Sequence, residues 1–244
     1  MRPVLLIAAL LSATASDAAE PLAQRLGPSP VVVELFTSQG CSSCPPADAV
    51  LSDMARDPSL RGRVIPLAFH VDYWDRLGWR DPFSSPEWSR RQYRYVRALN
   101  VNSAYTPQMV VNGMRQFVGS YRAAIEVEVV AQSNRKPAGE VQVMPSRHGA
   151  EARIQVKAKG TGDLVVVVYD SAAPTAVGRG ENNGRTISND AIVRRVVRAG
   201  TLTGGALERM ITVPIDPSWR EPGVAVFLQD VETLAIGAAA TARL

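Results

Sequence analysis

Val31-Val32-Val33-Glu34-Leu35-Phe36-Thr37-Ser38-Gln39-Gly40-Cys41-Ser42-Ser43-Cys44-Pro45-Pro46 is the stretch on which the fold turns. Its β-branched and apolar first half, Val31 to Thr37, reads as a buried strand. Small and polar residues then break the run. Beyond them Ala47, Val50, Leu51 and Met54 recur at helical spacing. The two cysteines therefore stand at a strand-to-helix junction. Two successive prolines lack amide donors, which fits a helix that begins at Pro46.

Downstream, Val64 to Val71 reads as a second strand, with Pro66 acceptable only near its start or at an edge. An aromatic loop follows, Asp72 to Phe83, carrying Tyr73, Trp74, Trp79 and Phe83. Ser85-Pro86-Glu87 supplies an N-cap, a first-turn proline and an acidic first turn. The helix they open places Gln92, Tyr95, Val96 and Leu99 on one side and Arg90, Arg94 and Arg97 on a solvated one. Thr106-Pro107 leads into Gln108 to Val111, an Asn112-Gly113 turn and Met114 to Val118. Asn-Gly between apolar runs marks a hairpin, because both turn positions require positive φ. Tyr121 to Gln132 has the length of a helix.

Residues 133–139 are polar and form the expected boundary between domains at 29–134 and 140–244. Past it the texture is β-like, with short runs at 140–144, 152–158, 164–169, 192–198, 207–213 and 224–228. Six or seven strands in about a hundred residues suggest a sandwich.

The chain has 244 residues, 46% of them hydrophobic and 20% charged, and a net charge of +4. Its basic residues are scattered, without the block that tracks a phosphate backbone, so no nucleic-acid partner is expected. Arg2 followed by the apolar run Val4 to Leu11 and small residues reads as a signal peptide over 1–19, too short to span a bilayer. No later run is long enough either, so no membrane span is expected once the leader is cleaved. The expected location is the periplasm or the exterior.

Export alters the meaning of the cysteines, of which there are two. A staple in an oxidising compartment gains most by closing a long loop. A bridge between Cys41 and Cys44 closes almost none, so the pair reads better as a redox couple. Zinc would need about four ligands, and only His70 and His148 could join the thiols; no metal or cofactor beyond the disulfide is expected.

Three features in order resemble the thioredoxin superfamily: Cys41-Ser42-Ser43-Cys44 after a strand, Thr106-Pro107 before one, and the Asn112-Gly113 hairpin followed by Val118-Gly119 and a helix. The whole chain is also similar to the exported bacterial proteins known as DUF1223, through Phe36 to Asp48, His70-Val71-Asp72-Tyr73-Trp74-Asp75 and Gly180 to Thr186. The resemblance implies an α/β thioredoxin-like domain followed by a mostly β, sandwich-like domain. It also implies that Pro107 follows a cis peptide bond and lies against the dithiol, with the Thr106 backbone presented to a substrate strand.

The expected activity is thiol–disulfide exchange with a protein thiol or disulfide. Cys41 is the exposed nucleophile, its thiolate favoured by a helix N-terminus, and Cys44 resolves the mixed disulfide. Tyr73, Trp74, His70 and Asp72 are candidate substrate-binding residues. Glu181 and Arg185 could pair within the glycine-rich loop at 180–185, which fits no phosphate-binding motif. Two alternatives stand beside this reading: a non-catalytic envelope binding protein with a static Cys41–Cys44 bridge, and a metallochaperone-like thiol site.

Overall fold

The computed structural model describes residues 20–171 and 174–244. The leader expected at 1–19 lies outside the described residues. In chain order the elements are α1 (Leu22–Arg25), β1 (Val31–Thr37), α2 (Pro45–Arg56), β2 (Val64–His70), α3 (Pro86–Ala98), β3 (Gln108–Val111), β4 (Arg115–Val118) and α4 (Arg122–Ser133). After these come β5 (Gly139–His148), β6 (Glu151–Ser171), β7 (Thr175–Ala176), β8 (Thr186–Ile187), β9 (Ile192–Pro214), β10 (Arg220–Gln229) and β11 (Ile236–Arg243).

The architecture corrects the expected fold class. Strands from both halves of the chain join in one nine-stranded mixed sheet, ordered β11-β10-β6-β9-β2-β1-β3-β4, with β5 paired to β6. There is no α/β thioredoxin-like domain followed by a separate sandwich; the protein is mostly β, built on one sheet. The seam is a parallel bridge between Ala68 and Ile192, where the Ala68 N–H donates to Ala191 O at 2.7 Å. Pro66 tolerates its place inside β2 for the same reason. Its missing N–H faces the same side as that of Ala68, where β9 pairs at only one position.

Two further contacts close the seam. Asn112 and Gly113 turn the β3–β4 hairpin with φ of 46° and 65°, and the turn docks on the C-terminal strands: Ile236 N–H donates to Asn112 O at 2.8 Å. A Cβ at Gly113 would lie 2.0 Å from Leu234 O, so only glycine fits there. The other contact is polar. Arg91 of α3 donates from Nε to Glu34 Oε1 on β1 at 2.6 Å and from Nη1 to Gln229 Oε1 on β10 at 3.2 Å. Tyr95 donates to the other Glu34 oxygen and accepts from Arg91 and Gln229.

Strand alternation sorts the sheet into three cores. Val31, Val33 and Leu35 pack with Ala47, Val50, Leu51 and Met54 of α2 and with Ile125 and Val129 of α4. Val32, Phe36, Leu67 and Phe69 face α3 through Trp88 and Tyr95, and share that core with Val165, Val167, Ala225 and Phe227. The alternate residues of β6 and β10, Val166, Val168, Val224 and Val226, turn to a third core with Ile154, Val156 and Val213. One core thus spans both sides of residues 133–139.

The separate runs expected at 152–158 and 164–169 are one strand, as are those at 192–198 and 207–213. Glycines between them do not end the ladder. Gly160, Gly162 and Gly200 take φ of 141°, 121° and 146°, and the β6–β9 register shifts beside them, so they act as bulges that bend a continuous pair. β11 had no sequence signal, because an alanine-rich run has low strand propensity.

Arg91→Ala should destabilise the chain by about 3–5 kcal/mol, because it leaves Glu34 charged and unpaired in the interior. Urea unfolding followed by circular dichroism checks this. A loss below about 1 kcal/mol would mean that Glu34 finds water or another partner.

Candidate functional site

β1 delivers the chain to the dithiol and α2 carries it away. Cys41 and Cys44 form a disulfide, with Cα atoms 5.4 Å apart. Cys44 is the N-cap of α2, which starts at Pro45, one residue before the expected Pro46. The Cys44 carbonyl accepts from Ala47 N–H at 2.9 Å and Asp48 N–H at 3.0 Å. The two prolines occupy first-turn positions where no amide partner is needed.

The Thr106–Pro107 peptide bond is cis and Pro107 is buried. The Thr106 hydroxyl reaches the disulfide: Oγ1 donates to Cys41 Sγ at 3.4 Å and accepts from Trp74 Nε1 at 2.8 Å. Ser43 Oγ is also 3.4 Å from Cys41 Sγ.

Cys41 was expected to be exposed, yet both cysteines are fully buried. The loop between β7 and β8 is hydrogen-bonded to the backbone that carries them. Asn182, itself fully buried, donates through Nδ2 to Gln39 O and Cys41 O, each at 2.9 Å. Beside it, Glu181 Oε2 accepts the Ser42 N–H at 3.0 Å, and these hydrogen bonds from Ser42 hold its carboxyl below the usual range. Glu181 is thus engaged by the dithiol loop and not by Arg185. Gly180 lies against Trp79, its absent Cβ 3.2 Å from the indole Cβ.

Beneath the dithiol loop is a buried polar cluster. Every polar atom of Gln39 has a partner: its N–H donates to Asp81 Oδ2 at 2.8 Å, Nε2 to Asn189 Oδ1 at 3.0 Å, Oε1 accepts from Trp79 Nε1 at 3.3 Å, and its carbonyl accepts from Asn182. His70 Nδ1 stands 2.7 Å from the same Asp81 oxygen, and both side chains are fully buried. Burial alone would push His70 down, but the charge and hydrogen bond of Asp81 hold it above its ordinary value. Burial likewise opposes ionisation of Asp81, and His70 reverses that, keeping Asp81 below the carboxylate range. Asp48, one turn beyond Cys44, accepts from Thr37 Oγ1 at 2.8 Å. Burial pushes its carboxyl up to about 6, against the pull of His70 and Thr37.

The other candidates divide. Trp74 meets the site through Thr106. Tyr73 is half-buried, its hydroxyl donating to Gln92 Oε1 at 3.2 Å, and burial pushes it up to about 12. Asp72 turns away to α3, where Oδ1 accepts from Ser89 Oγ and its N–H donates to the same hydroxyl at 3.1 Å. His70 sits in the interior and presents no surface. Sequence reasoning had not singled out Gln39, Asp48, Asp81, Asn182 or Asn189. Three of them, Gln39, Asp48 and Asn182, lie inside the segments that carried the family resemblance. Among the described residues, no group of three or more His, Cys, Asp or Glu side chains could hold a metal ion, and no helix is long and apolar enough to cross a membrane.

These features define a mostly β protein built around a CxxC disulfide at a strand-to-helix junction, walled in by a loop from the far end of the chain. The chain belongs to the DUF1223 family, described as a protein of unknown function, whose model matches residues 32–229. It is similar to an Agrobacterium tumefaciens protein of known crystal structure, at 32% identity and a TM-score of 0.66, covering 88% of this chain and 93% of that one. HBP35 of Porphyromonas gingivalis shares the fold, with a TM-score of 0.65 over 89% of this chain and 76% of its own at 14% identity. No curated protein matches.

The buried Asp48 carries a pH signature. Unfolded, its carboxyl loses its proton near 3.8; folded, near 6. Between these values the folded chain keeps a proton that the unfolded chain has released, so stability falls as pH rises through the window and stays lower above it. Asp48→Asn, which still accepts from Thr37, should therefore be about 2 kcal/mol more stabilising at pH 8 than at pH 4. Chemical unfolding of both proteins at the two pH values checks this; equal differences would refute a raised carboxyl.

Proposed function

We propose that this chain is a thiol–disulfide oxidoreductase acting on protein thiols or disulfides through the Cys41–Cys44 couple. The observation that carries the reading is the disulfide itself, which joins residues three apart. So small a loop removes little disorder from the unfolded chain, while its place at the head of α2 favours a thiolate at the first cysteine. In the exchange, the Cys41 thiolate attacks a substrate disulfide and expels one substrate sulfur as thiolate. Cys44 then attacks Cys41, forming the internal disulfide and releasing the second substrate thiol. Electrons pass from the dithiol to the substrate; the reverse sequence oxidises a substrate dithiol.

Pro107 and Thr106 shape the substrate side, with Tyr73 and Trp74 beside them, while His70 and Asp72 act by holding the aromatic loop. Arg2 and the apolar run that follows support action after export, in the periplasm or outside the cell. The burial of both sulfurs gives the static-bridge binding protein a specific argument as well. Exchange requires the segment carrying Glu181 and Asn182 to move aside; a static bridge does not.

Insulin reduction by dithiothreitol should be accelerated by the wild-type protein and not by Cys41→Ser. Asn182→Ala, which frees the carbonyls of Gln39 and Cys41, should raise the exchange rate several-fold. Equal rates for wild type and Cys41→Ser would favour the static bridge. If exchange occurs, Cys44→Ser should stall as a mixed disulfide that identifies the substrate by mass spectrometry.

A further inference from the structure

We propose that Trp74 is a positioning residue for Cys41: its indole N–H fixes the Thr106 hydroxyl so that the one hydroxyl hydrogen points at the Cys41 sulfur and stabilises its thiolate. The inference deepens the exchange reading and rests on it for its use, but its geometry stands alone.

A tryptophan indole nitrogen can only donate, and a threonine hydroxyl has one hydrogen and two acceptor lone pairs. Trp74 Nε1 at 2.8 Å therefore occupies the acceptor side of Thr106 Oγ1. The hydrogen is left for Cys41 Sγ, 3.4 Å away, or for the Tyr73 hydroxyl, which also reaches the Thr106 side chain while its own hydrogen goes to Gln92; we assign it to the sulfur. A hydrogen bond to a charged acceptor is worth more than one to a neutral acceptor, so the contact strengthens when the disulfide opens and Cys41 ionises.

The indole is itself held in place. Trp74 packs against the core that contains Phe36, Phe69 and Trp88, and its Cβ lies 3.4 Å from where a Cβ of Gly40 would stand. The dithiol loop thus passes Trp74 at a point where Gly40 has no side chain. Ser43 is the competing donor to the same sulfur, but it is exposed and its hydroxyl makes no other hydrogen bond among the described residues. Its rotor is free where that of Thr106 is fixed.

The titratable groups around the sulfur come from several elements. Asp48 lies one turn past Cys44 on α2, and Glu181 reaches the Ser42 N–H from the β7–β8 loop. Tyr73 stands in the aromatic loop, and the His70–Asp81 pair lies beneath Gln39. All remain in the variants below, so differences between variants report the hydroxyl chain.

The test uses the full chain carrying Cys44→Ser, which leaves Cys41 as its one thiol, and follows the ultraviolet absorbance of the Cys41 thiolate against pH, a readout that needs no access to the buried sulfur. Thr106→Val should move the midpoint up by about one pH unit, while Thr106→Ser should keep it. Trp74→Phe should move it in the same direction by less, and the double variant Trp74→Phe/Thr106→Val should move no further than Thr106→Val alone. Trp74→Tyr gives a second reading where Trp74→Phe does not fold. An unmoved midpoint in Thr106→Val, or shifts that simply add in the double variant, would overturn the proposal. Its failure is separable from that of the exchange reading: thiolate absorbance needs neither substrate nor access to the sulfur, so a chain that shows the coupled shifts but reduces no insulin disulfide retains the positioning and loses the activity.

Discussion

A buried guanidinium holds the two halves of this chain together. Arg91 is buried among Phe69, Tyr95 and Phe227, lying over all three rings at 5.2–5.7 Å. Burial works against its charge, and the Glu34 carboxylate more than restores it. Such a pair adds little net stability over an apolar replacement, but losing one partner is severe. What it contributes is position. Glu34 belongs to the strand that leads to the dithiol, Arg91 to α3, and Gln229 to a strand nearly two hundred residues further on. Their hydrogen bonds allow one arrangement of these elements, and the sheet runs through it without a break.

That continuity decides the character of the site. On a free-standing domain, a strand-to-helix dithiol would present its first sulfur to solvent. Here the long β6–β9 pair returns the chain so that the loop between β7 and β8 lies over Cys41. Asn182 then takes two carbonyls of the dithiol loop and Glu181 takes an amide.

The interior beneath the disulfide is polar for a related reason. Gln39, Asn189, Asp81 and His70 Nδ1 are hydrogen-bonded to one another in a space that two halves of the chain close jointly, while His70 Nε2 is buried there without a partner among the described residues. Asp48 is carried into that space by α2, where burial raises its carboxyl against the pull of His70 and of the Thr37 hydroxyl. Asp81 is buried as well, but its direct hydrogen bond and ion pair with His70 outweigh burial and hold it low. Two aspartates in one cluster are thus set apart by how directly each meets the imidazole.

Much of this was legible in the residues. The dithiol at a strand end, the helix opened by Ser85-Pro86-Glu87, the Asn112-Gly113 turn and the alternation in β6 are local matters. They follow from backbone restriction and from which side chains avoid water within a few residues of one another. Other features had no local sign. Arg91 sits in a helix rich in arginine, and nothing nearby distinguishes it from Arg90 or Arg94, which are exposed; its partners are 57 and 138 residues away. Glycines 160, 162 and 200 looked like strand ends because a single strand gives no view of the partner whose register they adjust. The sequence by itself determined where the cysteines stand and the main strands and helices around them, because those depend on short-range sterics and periodicity. Only the tertiary structure decided that the sheet is one and that the disulfide is covered, because both rest on hydrogen bonds between segments that meet only when the whole chain is folded.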